Sequence, residues 1–314
     1  MISNAATPIS RRAFILATAA LTAGCLHGQP RGNLRLAAGD AGGLYLTVAE
    51  ILADRITARY PRIRVSVIGT EGSVENLSRL RSSDADLGLA QADVAERDRA
   101  AGPVDTAPQA VARLYEDYLQ VVVRNSAAVQ QLSDLQGSRV SIGPPGSGVA
   151  QISEVMFDAA GLHARVDPRR YRLQDGLAGL ADGSLNALVW SGGVPTPAIA
   201  DLNATLPLRV LDLSQLAAPM AQLAGYPYLI RPLPTGGYVP PGLRSIGVPD
   251  LLLCRQGMPA DLVSAVVDVL AADAPALMPP SVRGLEYLGP PSMIQTGRIP
   301  LHPGAIAAFD TLHG

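Results

Sequence analysis

The sequence predicts an α/β fold in two lobes with largely parallel sheets, and three observations carry that expectation. Short β-like apolar runs alternate with helical patterns, the arrangement of repeated strand–turn–helix units. The pattern restarts after Asn125, so a second core is expected. Length and composition agree: 314 residues exceed a single domain of roughly 100 to 200 residues. With 48% hydrophobic and 17% charged residues, a disordered or coiled-coil chain is excluded.

The elements follow in order. Leu34-Arg35-Leu36-Ala37-Ala38 predicts a first strand; a glycine turn over 39–45 follows, then a helix to about residue 59 with apolar Val48, Ile51, Leu52 and Ile56. The unit repeats as a strand over 63–68, the turn Gly69-Thr70-Glu71-Gly72-Ser73 and a helix from about 74 to 81. A third strand over 85–90 runs into Gln91-Ala92-Asp93-Val94, and a long extended run over 111–123 carries the chain away. In the second half come Arg139-Val140-Ser141-Ile142-Gly143, the turn Pro144-Pro145-Gly146-Ser147-Gly148, a helix to about 161, and strands over 185–189 and 208–213. Residues 226–241 are rich in Pro, Gly and Tyr and predict an irregular connection. A last strand over 246–254 and a helix over 260–270 are expected to rejoin the first half. The expected division is 33–122 with 238–314 as lobe 1 and 123–237 as lobe 2, with hinge crossings near Val123 and within 228–241.

The N-terminal residues are expected to be an address. Arg11 and Arg12 precede an apolar run over 13–23, the layout of an export signal of twin-arginine type over 1–24. The run falls short of the roughly 20 apolar residues that span a bilayer. Leu21-Thr22-Ala23-Gly24-Cys25 resembles a lipobox, with Thr22 where leucine is usual. On that reading Cys25 is lipidated and heads a tether over 25–32; plain cleavage nearby is the alternative. The lipid would then be the chain's contact with the membrane. Cys254, in an apolar run, reads as a small buried hydrophobe.

Composition also removes chemistries. All 25 basic residues are Arg, so a Schiff-base lysine and a Walker phosphate loop are excluded. Against 27 acids they leave a net charge of −2, without the excess that grips a nucleic-acid backbone. Ser73 and Ser147 sit in no Gly-x-Ser-x-Gly elbow, since Glu71 and Pro145 stand two residues before them. Gly146-Ser147-Gly148 lacks the third glycine of a dinucleotide fingerprint. His27, His163, His302 and His313 are scattered singly, without metal-pair spacing. No catalytic residue, metal or cofactor is expected.

The turns carry the functional signal. A turn from the carboxyl end of a strand into a helix leaves backbone N–H groups unpaired at the positive end of the helix dipole, and glycine lets a ligand approach them. Four such turns, at 39–45, 69–76, 143–148 and 190–193, come two from each expected lobe. They are expected to meet at the carboxyl edges of the strands, where open α/β sheets bind ligands. Ser73 and Ser147 also read as N-caps. Tyr45 and Trp190, beside glycine turns, are candidate contacts.

Several motifs in order resemble the TAXI family of extracytoplasmic solute receptors: Gly42-Gly43-Leu44-Tyr45, Gly72-Ser73-Val74-Glu75-Asn76-Leu77, the segment 85–94, the turn 143–148, Gly192-Gly193-Val194-Pro195-Thr196-Pro197-Ala198-Ile199 and Pro300-Leu301-His302-Pro303-Gly304-Ala305. The resemblance spans about residues 33–306. It implies a two-lobed periplasmic-binding-protein fold of type II that closes on a small carboxylate or amino-acid-like solute and delivers it to the membrane subunits of a TRAP transporter. Matching contact positions are Gly43, Tyr45, Ser73, Asn76, Gln91, Gly146, Ser147 and Gly193. Leu46, Asp40 and Trp190 depart from the family pattern, and Asp40 would repel a purely anionic solute. A monomer is expected. A sensor that presents its solute to a membrane histidine kinase, and an enzyme on the same fold, are the other classes.

Overall fold

A computed structural model describes residues 30–279 and 289–313. The expected export signal and Cys25 lie outside the described residues. The first half is β1 (Gly32–Ala37), α1 (Leu44–Arg59), β2 (Ile63–Ile68), α2 (Ser73–Arg81), β3 (Leu87–Gln91) and α3 (Ala92–Ala101). β1 pairs in parallel with β2 on one side and β3 on the other. In α1 the stripe Val48, Leu52 and Ile56 is buried against this sheet. Each such side chain is worth about 2 kcal/mol of burial, so tertiary packing fixes a helix whose sequence is only weakly amphipathic.

β4 (Gln109–Arg124) then runs for 16 residues. Beyond it come β5 (Arg139–Ser141), α4 (Gly148–Ala159), β6 (Asp167–Arg169), α5 (Leu173–Asp182), β7 (Ala187–Gly192), α6 (Pro197–Thr205), β8 (Leu208–Val210), α7 (Ala217–Ala224) and β9 (Leu229–Pro232). β10 (Arg244–Cys254) leads back to α8 (Ala260–Asp273), α9 (Pro290–Met293) and α10 (Pro303–His313). β9 lies inside the stretch expected to be irregular; it forms because Leu229 to Pro232 finds a partner in the start of β10. In α5, two glycines weaken the helical signal, yet a methyl group at Gly176 would come within 2.8 Å of Leu188 Cδ1. Close helix-to-sheet approach is what that position requires.

The strands form one sheet in the order β2-β1-β3-β10-β4-β7-β5-β6, with β8 on β4 and β9 on β10. The two antiparallel central strands belong to both halves. Asp250–Cys254 of β10 pairs with β3, whereas its start pairs with β9. β4 pairs with β10 through Tyr118, and from Tyr118 to Val123 it pairs with β7. The register slips between Asp250 and Leu251, a bulge of the kind that re-aims a side chain. Cores of apolar side chains cover the sheet, one built on α1 and α8, another on α5, α6 and β8. Cys254 is fully buried, and burial pushes its thiol up to about 12, as expected of a small hydrophobe. Among the described residues no helix is long and apolar enough to cross a membrane.

Candidate functional site

All four glycine turns meet in one cleft. Its walls include Gly39, Asp40 and Tyr45 from the first turn, Gly72 and Ser73 from the second, Ser147 and Gly148 from the third, and Trp190 to Gly192 from the fourth. The parallel strands β1, β2 and β3, and likewise β5 and β7, point their carboxyl ends at it. α1, α2 and α4 therefore begin at its edge. Gly43 and Gly72, the N-caps of α1 and α2, offer no side chain to the first N–H groups. The donors of α1 and those of Ser73 and Val74 in α2 stay available to an anion, while Glu75 N is taken by the Gly146 carbonyl. The N-cap of α4 is different: Ser147 Oγ accepts from Ala150 N at 3.1 Å and donates to the Pro144 carbonyl at 2.6 Å.

The two halves touch across the cleft. Glu75 N donates to the Gly146 carbonyl at 3.1 Å, and Gln91 Nε2 donates to Ser191 Oγ. Arg172, at the start of α5, bridges Asp40 and Glu71 on the opposite wall. Two glycines make this approach available. Gly72 has φ of +123° and lies 3.4 Å, measured from where its methyl would be, from Ser147 Cα. Gly148 admits Gln91, because a methyl there would collide with Gln91 Oε1. The conformation is a closed one.

Of the residues singled out from sequence, Gly43, Tyr45, Ser73, Gln91, Ser147 and Trp190 line the cleft. Gly193 lines an adjoining depression shared with Gly43 and Trp190. Gly146 packs on Glu71 across the gap. Asn76 stands behind the wall: its amide donates to the carbonyls of Ala38 and Leu89 at 2.6 and 2.7 Å, and its oxygen accepts from Thr70 Oγ1. It ties α2 to β1 and β3. Ser73 Oγ accepts from Gln91 N at 3.1 Å.

Two carboxyls on the central strands were not singled out. Asp117 of β4 lines the cleft, and Asp250 of β10 lies beside it. Pairing of Tyr115 with Asp250 and of Asp117 with Val248 puts the two acids diagonally on one face. Each is at most 3% exposed, and the two lie close enough for the charge of one to act on the other. Burial pushes Asp117 up to about 7 despite the bond from the Gln91 amide. Asp250 is raised well above the carboxylate range by burial and then by the Asp117 charge. Tyr45 donates its hydroxyl to Asp250. Burial and the neighbouring acids in turn raise that phenol. The available signal was an acid interrupting an apolar strand, in Tyr115-Glu116-Asp117-Tyr118-Leu119 and in Val248-Pro249-Asp250-Leu251.

Asp117 Oδ1, Gln91 Oε1, Glu71 Oε2 and the Trp190 indole N–H have no hydrogen-bond partner although buried. Orphaned buried polar atoms are uncommon in folded proteins, and these four share one cleft. Among the described residues no group of three His, Cys, Asp or Glu is placed to hold a metal ion. His302 accepts from Gly304 N at 3.0 Å at the start of α10, away from the cleft lining.

This architecture, with two halves joined by two central strands around a cleft, is the type II periplasmic-binding-protein fold. A protein of Bordetella bronchiseptica RB50 superposes with a TM-score of 0.54 at 12% identity, over 90% of this chain and 99% of its own. An ancestral arginine-binding protein bound to arginine gives 0.52 at 15% identity, over 79% and 96%. A substrate-binding protein of an amino acid ABC transporter gives 0.50 at 14% identity, over 78% and 97%. The sequence matches the NMT1-like family over residues 36–310, and the chain belongs to that family.

Proposed function

We propose that this protein is an extracytoplasmic solute receptor that captures a small carboxylate or amino-acid-like solute by cleft closure and hands it to a TRAP-type membrane transporter. One observation carries the reading: four amide-rich turns, two from each half, converge on a single cleft with orphaned polar atoms in its walls. Family membership and a fold shared with binding proteins support it. The carboxylate is held by the first N–H groups of α1 and α2, where the helix dipoles favour negative charge. Tyr45, Ser73, Gln91, Ser147 and Trp190 complete the walls, and no bond in the solute is made or broken. The halves are residues 33–122 with 238–314 and 123–237. Opening bends β4 and β10 where they pass from one half to the other. A solute that binds both halves only when they are together shifts the chain to the closed form. Export by residues 1–24, a lipid on Cys25 and a monomeric state belong to the same reading.

The test is native mass spectrometry of the mature protein, with identification of any compound released on denaturation, and small-angle scattering with and without that compound. A bound small acid and a smaller radius of gyration in its presence are expected. Gly148→Ala should lessen the compaction and lower affinity about tenfold, because the Gln91 and Ser73 side chains must turn aside for the halves to close. A protein that binds no small acid overturns the reading, as does turnover of the bound compound.

A further inference from the structure

We propose that the cleft receives an ammonium group of its solute at Asp117, so that the solute is an amino acid or another amine-bearing acid, and that the proton shared by Asp117 and Asp250 leaves to solvent as the ammonium arrives. The inference rests on the solute-capture reading and names the chemical class that reading leaves open.

The cleft is short of cations. Asp40, Glu71 and Asp117 are in its lining, and no Arg or His is. Arg172 meets Asp40 and Glu71 with a half-exposed side chain. A plain carboxylate would gain the helix N-termini of α1 and α2 but would face Asp117, which no cation partners, beside Asp40 and Glu71, which share the one Arg172. A second, independent observation is the direction of the unmet bonds. Asp117 Oδ1 and Gln91 Oε1 are acceptors without donors, on side chains 3% and 2% exposed, and both residues line the cleft. An ammonium brings three N–H donors and a positive charge. The Trp190 indole N–H is the complementary orphan, a donor without an acceptor, and it suits the acid end of the same molecule.

The carboxyl pair explains how the site stands empty. Two buried carboxyls in contact cannot both ionise, so they hold one proton between them. The titratable groups facing the pair are Tyr45 on α1, Tyr115 on β4 and Asp93 on α3. None of these is a cation, and the neighbours on β3 and β7, Gln91 and Ser191, are neutral. An arriving ammonium supplies the missing positive charge. The pair gives up its proton to the buffer as it ionises fully, leaving two carboxylates against one ammonium, a local charge of −1. Affinity for an amine-bearing solute therefore falls as pH drops below about 7, where the pair holds its proton more firmly.

The experiment is titration calorimetry of the mature protein with matched pairs of compounds: L-glutamate and glutarate, L-leucine and 4-methylpentanoate, L-arginine and 5-guanidinopentanoate. Each is run in two buffers of different ionisation enthalpy near pH 6. At least one amine-bearing member should bind, its partner about 100-fold more weakly, with release of up to one proton per solute. Asp117→Asn should cut the preference below about tenfold and abolish proton release, with an unchanged far-ultraviolet dichroism spectrum. Gln91→Leu, which removes the other orphaned acceptor along with the bond to Ser191, should weaken the amine-bearing member more than its partner. Equal binding of both members, or proton release that survives in Asp117→Asn, overturns the assignment while the solute-capture reading stands. Absence of binding by every amine-bearing compound also overturns it, and the native mass measurement then decides the broader reading separately.

Discussion

Asp86 and Asp117 are the same residue type, both buried near the sheet, and their surroundings are opposite. Asp86 accepts from the Arg35 backbone and guanidinium at 2.9 and 3.1 Å and from the Arg255 guanidinium at 2.9 Å. Those bonds overcome its burial and hold it below the usual carboxylate range. Asp117 has a second acid as its neighbour, no arginine, and an oxygen with no partner, and burial wins. The first arrangement is a finished structural pair. The second is incomplete within the chain, which is what a binding site needs and a core avoids.

The contrast can be broken by mutation and by pH. The largest effect is expected from Asp86→Ala, which removes the buried acceptor of three hydrogen bonds and should lower stability by about 3 kcal/mol in thermal or denaturant unfolding. Asp117→Asn should act in the other direction, raising the stability of the empty protein at pH 8 by about 2 kcal/mol, since it removes a desolvated charge. The pH profile gives the same distinction. Asp86 has a lowered value in the folded state, so its contribution is present above the ordinary 3.8 and fades as pH falls through the lower folded value. Asp117 is raised: between 3.8 and about 7 the folded chain keeps a proton that the unfolded chain has lost. Asp117 should thus contribute a decline in the stability of the empty protein over that window, by up to about 1.4 kcal/mol per pH unit. In Asp117→Asn that part of the decline should be gone. A flat profile in the native protein would place Asp117 with Asp86 as an ordinary satisfied acid.

Two smaller effects sharpen the comparison. Tyr45→Phe removes a hydroxyl donor to Asp250 and should cost about 1 kcal/mol in unfolding. Arg172→Ala removes a bridge to Asp40 and Glu71 on a half-exposed side chain. Its cost in unfolding should stay below about 1 kcal/mol. Because the bridge joins the two halves, the change should appear instead as faster solute release in stopped-flow measurements.

Much of this molecule was legible before its structure. The strand over 63–68, the extended run expected over 111–123 and found as Gln109–Arg124, and the helix ending at Arg59 show as alternating or apolar-rich segments. The four turns were legible because glycine and serine cluster where a strand must hand over to a helix. The short strand β9 was not, since its partner lies at the start of β10 and its own residues are half exposed. α5 was hidden by Gly176 and Gly179, which lower helical propensity and are explained only by the closeness of Leu188 and Leu185. In the cleft, Ser147 could be read as a cap from its position alone. The Asp117–Asp250 contact could not, because 133 residues separate the two acids and only the strand register brings them together. The side chain of Asn76 gave no local sign that its amide is used up inside the fold.

The carboxyl pair sits on the two strands that join the halves, and the amide donors sit on turns. Such a layout divides selectivity into separately adjustable parts. Exchanging turn residues would retune which acids and which tails are admitted, while leaving the amine requirement untouched. Changing the amine requirement means rewriting β4 or β10, and with them the path along which the molecule bends. A redesigned biosensor on this scaffold should therefore alter the turns first.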